Sequence, residues 1–452
     1  MSDLLVHGGA VVTVNDAFTV HDPGYVYAVD GQIVEVAPGA PPAARLRADD
    51  VIDATGMAVM PGMVNAHTHL FQTFFRGLGD DKSLLDWLRD YIWPAASLMT
   101  AEEGRAAITL GLVENLRTGV TTVLDHQYVH ADPAIDHEAC SAAADLGIRY
   151  LMARGWADRN YEPRLQETSA TIIERIRAVA DRWNGFDNGR VRVENGPLIP
   201  WGCSDDAMRE VAAALDGYGN GMHVHCAETS VEVDMSLDER RVRHVPWLDR
   251  LGLLGPDTQL AHSVWLDDGE LDTIAARGAT VVHCPVSNMY LASGISRVVD
   301  MRIRGINVAL ASDGPGSNNR QDLFEAMKLS VLLQKVATLD PVVLQPEDAL
   351  RMACRGGAQA VGLADRIGCL EPGRLADLIV VDLNSVFIAP VHRVPSALVF
   401  NASPRDVRHV AVGGRLLLRD GQLSTINEAE ALATAHTAAR AMFERAGIPT
   451  RF

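Results

Sequence analysis

Positive charge is scarce in this sequence, and lysine is its scarcest charged residue. Of the 40 basic residues only three are lysines (Lys82, Lys328 and Lys335), against 58 acidic residues, and the formal net charge is −18. A surface this acidic repels phosphate backbones and anionic lipids. We therefore expect neither nucleic acid nor a membrane as a partner.

Cysteines and long apolar runs are also few. The six cysteines are scattered over 452 residues without a CxxC pair, which argues against a disulfide framework. No run reaches the roughly 18 uninterrupted apolar residues of a membrane span. The first residues also lack the basic and apolar regions of a secretion signal. These features predict a cytoplasmic protein.

The composition that remains is globular, and its pattern differs between the ends and the middle. Hydrophobic residues make up 48% of the chain and charged residues 22%, which excludes collagen-like, coiled-coil and largely disordered chains. Short apolar strands with turn signals occur near both ends. They predict one small flanking β-sandwich domain formed by residues 1–57 and 371–425, followed by a C-terminal helix in 426–452.

The middle of the chain, residues 58–370, alternates apolar runs with amphipathic segments. The eight runs are Ala58–Val64, Val120–Leu124, Ile148–Ala153, Val191–Leu198, Gly221–Val224, Thr258–Ala261, Thr280–Val282 and Val308–Ala311. Eight strands with intervening helices predict an α/β fold, a (β/α)8 TIM-type barrel. Such a barrel carries its active site at the carboxyl ends of its strands.

Residues able to bind a metal follow three of these runs. His67 and His69 are two residues apart after the first run, so a strand places both imidazoles on one face. His225 follows the fifth run and Asp313 the eighth. Three neutral nitrogens and one carboxylate suit Zn²⁺ or Fe²⁺ with a further position open for water. His223, two residues before His225, is an alternative ligand.

Five motifs in the same order extend this pattern over essentially the whole chain. They are PGMVNAHTH at Pro61–His69, HCAE at His225–Glu228, HCPVSN at His283–Asn288, SDGPGSNN at Ser312–Asn319 and EPGRLADLIVVD at Glu371–Asp382. On these motifs the chain resembles the amidohydrolase superfamily and, within it, the cytosine deaminase-like aminohydrolases. The resemblance implies a heterocyclic small molecule as substrate and a homo-oligomer as the assembly.

The resemblance also implies a role for each matching residue. It makes His67, His69, His225 and Asp313 the metal ligands, with Asp313 also taking a proton from the attacking water. Glu228 matches a proton-shuttling carboxylate, and His262 a histidine that hydrogen-bonds the reacting oxygen.

The scarcity of lysine bears on the number of metals. Two-metal members of the superfamily bridge their ions with a carboxylated lysine after strand four, whereas this chain has no lysine between Lys82 and Lys328. We therefore expect one Zn²⁺ per chain, with Fe²⁺ as the alternative. Glu194, the remaining candidate for a bridge, is expected to point into the barrel wall.

Substrate contacts are predicted from position. Gln72 and Arg154 match positions that contact the heterocycle in related deaminases, and Trp93 offers a ring for stacking. For Arg154 a structural salt bridge is the alternative. For His126, which follows the second run, two roles remain open: a residue of the pocket or an ordinary residue of the loop.

The substrate class is predicted from one residue that departs from the motif of the adenosine-derivative deaminases and from two segments that resemble other members of the superfamily. Leu198 stands where deaminases of adenosine derivatives carry a histidine, in a GPHSP-like motif. DHQY at Asp125–Tyr128 and NMYLASGI at Asn288–Ile295 resemble 8-oxoguanine deaminase and the s-triazine hydrolases. We expect deamination of an oxopurine such as 8-oxoguanine or guanine. A modified adenosine is the second expected substrate. The alternatives are an s-triazine hydrolase, by dechlorination or loss of an alkylamine, and a cyclic-amide ring-opening amidohydrolase.

Overall fold

Eight parallel strands form one sheet that curls into a nearly closed barrel. The computed structural model describes residues 3–218 and 221–450. The barrel strands, numbered here β1 to β8, are Met63–Thr68, Val120–Gln127, Arg149–Trp156, Val191–Pro197, Met222–Cys226, Thr258–His262, Thr280–His283 and Val308–Leu310. Just beyond β8, the Asp313 amide donates to the His67 carbonyl of β1 at 3.0 Å. The predicted (β/α)8 barrel is confirmed.

Amphipathic helices alternate with the strands and cover the barrel. The longer ones are Ala101–Arg117, Ile135–Leu146, Ser169–Trp183, Asp205–Ala214, Ser230–Arg240, His244–Arg250, Asp268–Arg277 and Leu323–Thr338. Three of them begin with a capping box, in which the cap residue (Thr100, Thr229 or Asp267) and a glutamate three residues later satisfy each other's backbone amides. These helix starts are therefore fixed locally by the sequence.

Shorter helices fill the loops at the carboxyl ends of the strands and the segment after β8. They are Leu84–Trp87, Trp93–Ala96, Pro285–Tyr290, Val298–Ile303, Pro315–Asn318, Pro346–Arg351 and Gly357–Ala360, together with a 3-10 segment at Leu70–Phe75 and π-helical turns at Leu88–Ile92 and Met352–Gly356. After the helix Gly357–Ala360, Val361 and Ile367 pack inside the barrel against Leu124 and Leu151. No helix among the described residues is long and apolar enough to cross a bilayer.

Two sheets beside the barrel combine both ends of the chain. The four-stranded sheet has the order Gln32–Pro38, Gly24–Val29, Asp3–His7, Asp50–Asp53, and the seven-stranded sheet the order Gln422–Leu423, Arg415–Arg419, Val407–Val412, Leu378–Asp382, Met57–Pro61, Ala10–Val12, Val20–His21. The antiparallel pair of Met57–Pro61 and Leu378–Asp382 joins the two termini. A flanking β region formed by both termini is thus confirmed.

The first predicted run, Ala58–Val64, is divided between the two parts of the molecule. Its first half lies in Met57–Pro61 of the flanking sheet, and its second half belongs to β1. Between them the Gly62 amide donates to the Asp377 carbonyl at 3.0 Å. Both halves are apolar, so the hydrophobic pattern alone could not separate them.

The C-terminal helix, Glu428–Ala446, and two polar contacts attach the flanking elements to the barrel. Arg149 of β3 makes two hydrogen bonds of 2.9 Å to the buried carboxylate of Asp377. The ring of Phe443 packs edge-on against Phe75, with 5.3 Å between the ring centroids. These contacts fix the helix and the sheet on the barrel.

Candidate active site

The four predicted metal ligands converge at the carboxyl ends of β1, β5 and β8. Nε2 of His69 lies 3.2 Å from Nε2 of His225, and Asp313 Oδ1 lies 3.3 Å from His67 Nε2 and 3.5 Å from His69 Nε2. Donors bound at about 2.0–2.1 Å to one tetrahedral metal are roughly 3.3 Å apart. The separations and the nitrogen-rich donor set therefore fit a single divalent metal ion.

Hydrogen bonds to main-chain carbonyls orient two of these histidines. Nδ1 of His69 donates to the His126 carbonyl at 2.7 Å, and Nδ1 of His225 donates to the Leu198 carbonyl at 2.6 Å. A carbonyl only accepts, so the proton is on Nδ1 and the lone pair on Nε2. Burial lowers the pKa of both rings, that of His69 to about 3. Both imidazoles are neutral, which is the form that binds metals.

Asp313 is held as a carboxylate by donors on every side. Its Oδ2 accepts from Ser287 Oγ at 2.6 Å and Ser317 Oγ at 3.0 Å, and its Oδ1 from the Gly314 amide at 2.6 Å. Burial raises its pKa, but contact with the His67 imidazole outweighs burial and keeps the pKa well below its usual range. Asp313 is therefore ionised at neutral pH.

Glu228 and His262 lie beside the ligand cluster. Glu228 Oε2 is 3.6 Å from His262 Nε2, which is itself 4.0 Å from Asp313 Oδ2. Asn288 Oδ1 accepts from His262 Nδ1 at 2.9 Å and so fixes the ring. Burial raises the pKa of Glu228 to about 8. Burial also lowers the pKa of His262, but the nearby carboxylates outweigh it and raise that pKa.

Unusual backbone conformations at the strand ends aim these groups inward. Ala227, His262 and Asp313 have φ values of +47°, +66° and +63°, each costing about 1–3 kcal/mol for a non-glycine residue. His262 pairs with Cys226, the neighbour of inward-facing His225, so strict alternation would turn its side chain away from the site. The left-handed turn reverses that direction.

A cavity opens onto the cluster. Its wall includes Trp87, Tyr128, Tyr161, Leu198, Trp201 and Leu291. Gln72 lines it too and donates from Nε2 to the Tyr128 hydroxyl at 3.0 Å, while its Oε1 is buried without a hydrogen bond to a described residue. No arginine or lysine of the described part of the chain lines the cavity. The space suits a flat ring with uncharged substituents.

Two residues predicted to bind substrate lie outside this cavity. The fully buried Arg154 donates from Nε to Asp136 at 2.8 Å, and from its two Nη atoms to Glu167 at 2.7 and 3.0 Å. The substrate role predicted for Arg154 therefore finds no support, because its guanidinium is engaged in a structural ion pair. Trp93 packs edge-on against Tyr161, with 5.1 Å between centroids, behind the cavity wall.

Several wall residues were not singled out from the sequence. Trp201 and Tyr161 belong to loops after β4 and β3, and Tyr128 directly follows β2. Their positions just after barrel strands were a usable signal, because those loops build the active-site end of such barrels.

Comparisons with known proteins agree with this geometry. The amidohydrolase family profile matches residues 58–417. A 5'-deoxyadenosine deaminase of Methanosarcina mazei is 37% identical over 450 residues, covering 98% of this chain and 99% of the relative. A 5-methylthioadenosine/S-adenosylhomocysteine deaminase of Syntrophobacter fumaroxidans is 38% identical over 95% of this chain and 96% of its own. The crystal structure of an adenosine deaminase from Xanthomonas campestris with bound zinc superimposes with a TM-score of 0.90 at 30% identity, over 98% of this chain and 99% of that one.

Proposed function

This chain belongs to the amidohydrolase family and is a metal-dependent deaminase, and from that premise we propose that its substrate is an adenosine with a small uncharged group at the 5′ position. The observation that carries the proposal is the largely aromatic and apolar wall of the cavity, which has no arginine or lysine among the described residues. The substrate is thus the second of the two classes expected from the sequence. The oxopurines expected first are not supported by the relatives.

The base and the ribose substituent make different demands on this cavity. Trp87, Tyr128 and Trp201 offer aromatic surface against which a purine ring can stack. Gln72 Oε1, which has no partner among the described residues, is free to accept from a donor on the substrate. The choice of adenosine as the nucleoside comes from the relatives that are 37–38% identical, which are named as deaminases of adenosine derivatives.

Charge then separates the 5′ substituents. A 5′-deoxy or methylthio group is apolar and fits beside side chains such as Leu84, Leu88 and Leu291. A homocysteine tail carries a carboxylate and an ammonium group, and its carboxylate would meet no arginine or lysine along the described wall and would lie in the same cavity as Glu228 and Asp313. Burial of an unpaired charge is costly, so we expect the uncharged substituents to be preferred.

The reaction replaces the ring amino group by oxygen from water and releases ammonia. His67, His69, His225 and Asp313 would hold one divalent metal, with zinc favoured by the nitrogen-rich donor set. When bound, such a metal supplies a water activated near neutral pH.

The remaining steps belong to side chains. Asp313, as a carboxylate, accepts a proton from the attacking water. Glu228, protonated at the start, donates to the ring nitrogen beside the amine-bearing carbon; as a carboxylate it then takes the proton that Asp313 holds and passes it to the departing amine, and the second proton of the water returns Glu228 to its protonated form. His262 Nε2 faces the same space and stabilises negative charge that develops on the incoming oxygen.

The test measures ammonia release by zinc-loaded enzyme and compares kcat/KM for 5′-deoxyadenosine, S-adenosylhomocysteine, guanine and 8-oxoguanine. We expect 5′-deoxyadenosine to exceed each of the others by about tenfold or more, which corresponds to about 1.4 kcal/mol of transition-state binding. Equal rates on S-adenosylhomocysteine would contradict the uncharged-substituent argument alone. Preference for guanine or 8-oxoguanine would overturn the adenosine assignment.

A further inference from the structure

His67 differs from the other two predicted ligand histidines in what its Nδ1 contacts. That atom lies 2.7 Å from Nε2 of His223, a ring nitrogen, and not from a carbonyl. A separation of 2.7 Å is that of a hydrogen bond and is shorter than the roughly 3.3 Å between two ligands of one tetrahedral metal. His223 is therefore a hydrogen-bond partner of His67 and not a further ligand of the same ion.

This contact leaves two arrangements of the proton, and only one of them permits metal binding. If Nδ1 of His67 carries the proton, Nε2 keeps its lone pair and faces Asp313. If instead His223 donates to Nδ1, the proton of neutral His67 is on Nε2 and that lone pair is lost. Carbonyl acceptors make this choice for His69 and His225, whereas for His67 it depends on the tautomer of His223.

A third buried histidine lies beside His223 and bears on that tautomer. His126 Nε2 donates to the Gly196 carbonyl at 3.0 Å, so its Nδ1 has a lone pair. The rings of His126 and His223 pack edge to face with 5.0 Å between centroids, and one nitrogen from each of His67, His126 and His223 lies within 4.8 Å of the others. Nδ1 of His223 makes no hydrogen bond to a described residue. Nδ1 of His126 likewise makes no hydrogen bond to a described residue, so its lone pair acts on His223 only through space; a proton on His223 Nδ1 is attracted to it, and His223 Nε2 is then an acceptor.

We propose that His223, backed by His126, is a positioning residue that keeps the proton of His67 on Nδ1 and thereby presents the Nε2 lone pair to the metal. The strand explains why the residue is available, because His223 and His225 are two residues apart on β5 and face the barrel interior together. The inference rests on the metal site of the proposed function and adds to it a ring that does not touch the metal.

The test compares two substitutions that differ in one atom's role. In His223→Gln the side-chain oxygen can take the place of Nε2 and accept from His67, whereas His223→Leu fills similar space without an acceptor. We expect the zinc affinity of apoprotein, measured by competition with a chromophoric chelator, to fall about 10–100-fold in His223→Leu. His223→Gln should remain close to the wild type. His283→Leu is the matched control, because His283 is a buried imidazole on β7 without a hydrogen bond to the described residues.

A second measurement reads the tautomer directly in the wild type. Long-range ¹H–¹⁵N spectra of zinc-loaded protein should show His223 protonated on Nδ1 and His67 protonated on Nδ1. A proton on Nε2 of His223 would overturn the proposal even if His223→Leu failed to fold.

The other outcomes separate the inference from its premise. Equal loss of affinity in His223→Gln and His223→Leu would mean that the ring acts by packing alone, and wild-type affinity in both would mean that it has no part in metal binding. Failure of the wild type to bind zinc would refute the metal site itself, and the inference with it.

Discussion

Replacement of Glu228 by glutamine tests the proton-transfer step with the least disturbance of shape. Burial raises the pKa of this carboxyl to about 8, so the protonated form predominates at pH 7. The protein thus holds an acid ready to donate, 3.6 Å from His262. Glutamine keeps the size and the hydrogen bonding of a protonated carboxyl but has no proton to transfer.

The expected loss follows from the role of the group. A positioned general acid or base contributes about 10²–10⁴-fold, or about 3–5 kcal/mol of transition-state stabilisation. We expect kcat for ammonia release from 5′-deoxyadenosine to fall by that factor in Glu228→Gln. Zinc content should stay at the wild-type level, because Glu228 is not among the four proposed ligands.

Glu194→Gln is the matched control for that experiment. Glu194 is a buried carboxyl on β4 whose pKa burial also raises to about 8, and it does not line the cavity. The same chemical change there should leave kcat unchanged at pH 7. Turnover in Glu228→Gln within about tenfold of the wild type, with zinc bound, would refute the assigned proton transfer.

Three further outcomes are expected. The pKa of Glu194 in the folded protein lies above its unfolded value of about 4.3, so the wild type loses stability as the pH rises between about pH 5 and 8. Glu194→Gln lacks this loss, and its unfolding free energy, measured by urea titration, should rise relative to that of the wild type by up to about 1.4 kcal/mol per pH unit. Parallel curves of unfolding free energy against pH for the two proteins would contradict this. Arg154→Met should lower the unfolding free energy by about 3–5 kcal/mol, since Asp136 and Glu167 lose their buried partner, whereas a raised KM without loss of stability would restore its substrate role. Chelation should abolish deamination and lower Tm, with both restored by one equivalent of Zn²⁺ per chain; a requirement for two would contradict the single site.

The barrel and the convergence of its polar residues were accessible from the sequence for a physical reason. Parallel strands place their carboxyl ends together, so residues such as His67, His225 and Asp313 could be assigned to one site without knowledge of distances. The HxH pattern on β1 and β5 also fixed which side chains share a face.

Features that depend on contacts between distant elements were not accessible. Arg154 is placed correctly at the end of β3, but its partners Asp136 and Glu167 lie on separate segments, and no spacing in the chain reveals the ion pair. His126 was left open because the predicted run ended at Leu124, whereas β2 continues to Gln127 and turns the imidazole into the barrel. Loop conformation likewise decided which aromatic rings line the cavity.

The most direct test of the central claim is a reaction in water enriched in ¹⁸O. Zinc-loaded protein with 5′-deoxyadenosine should release one ammonia for each product molecule, and mass spectrometry should find one ¹⁸O on the intact purine ring in place of the amine. A product without ¹⁸O, or a ring-opened acid formed without ammonia, would contradict hydrolytic deamination at this site.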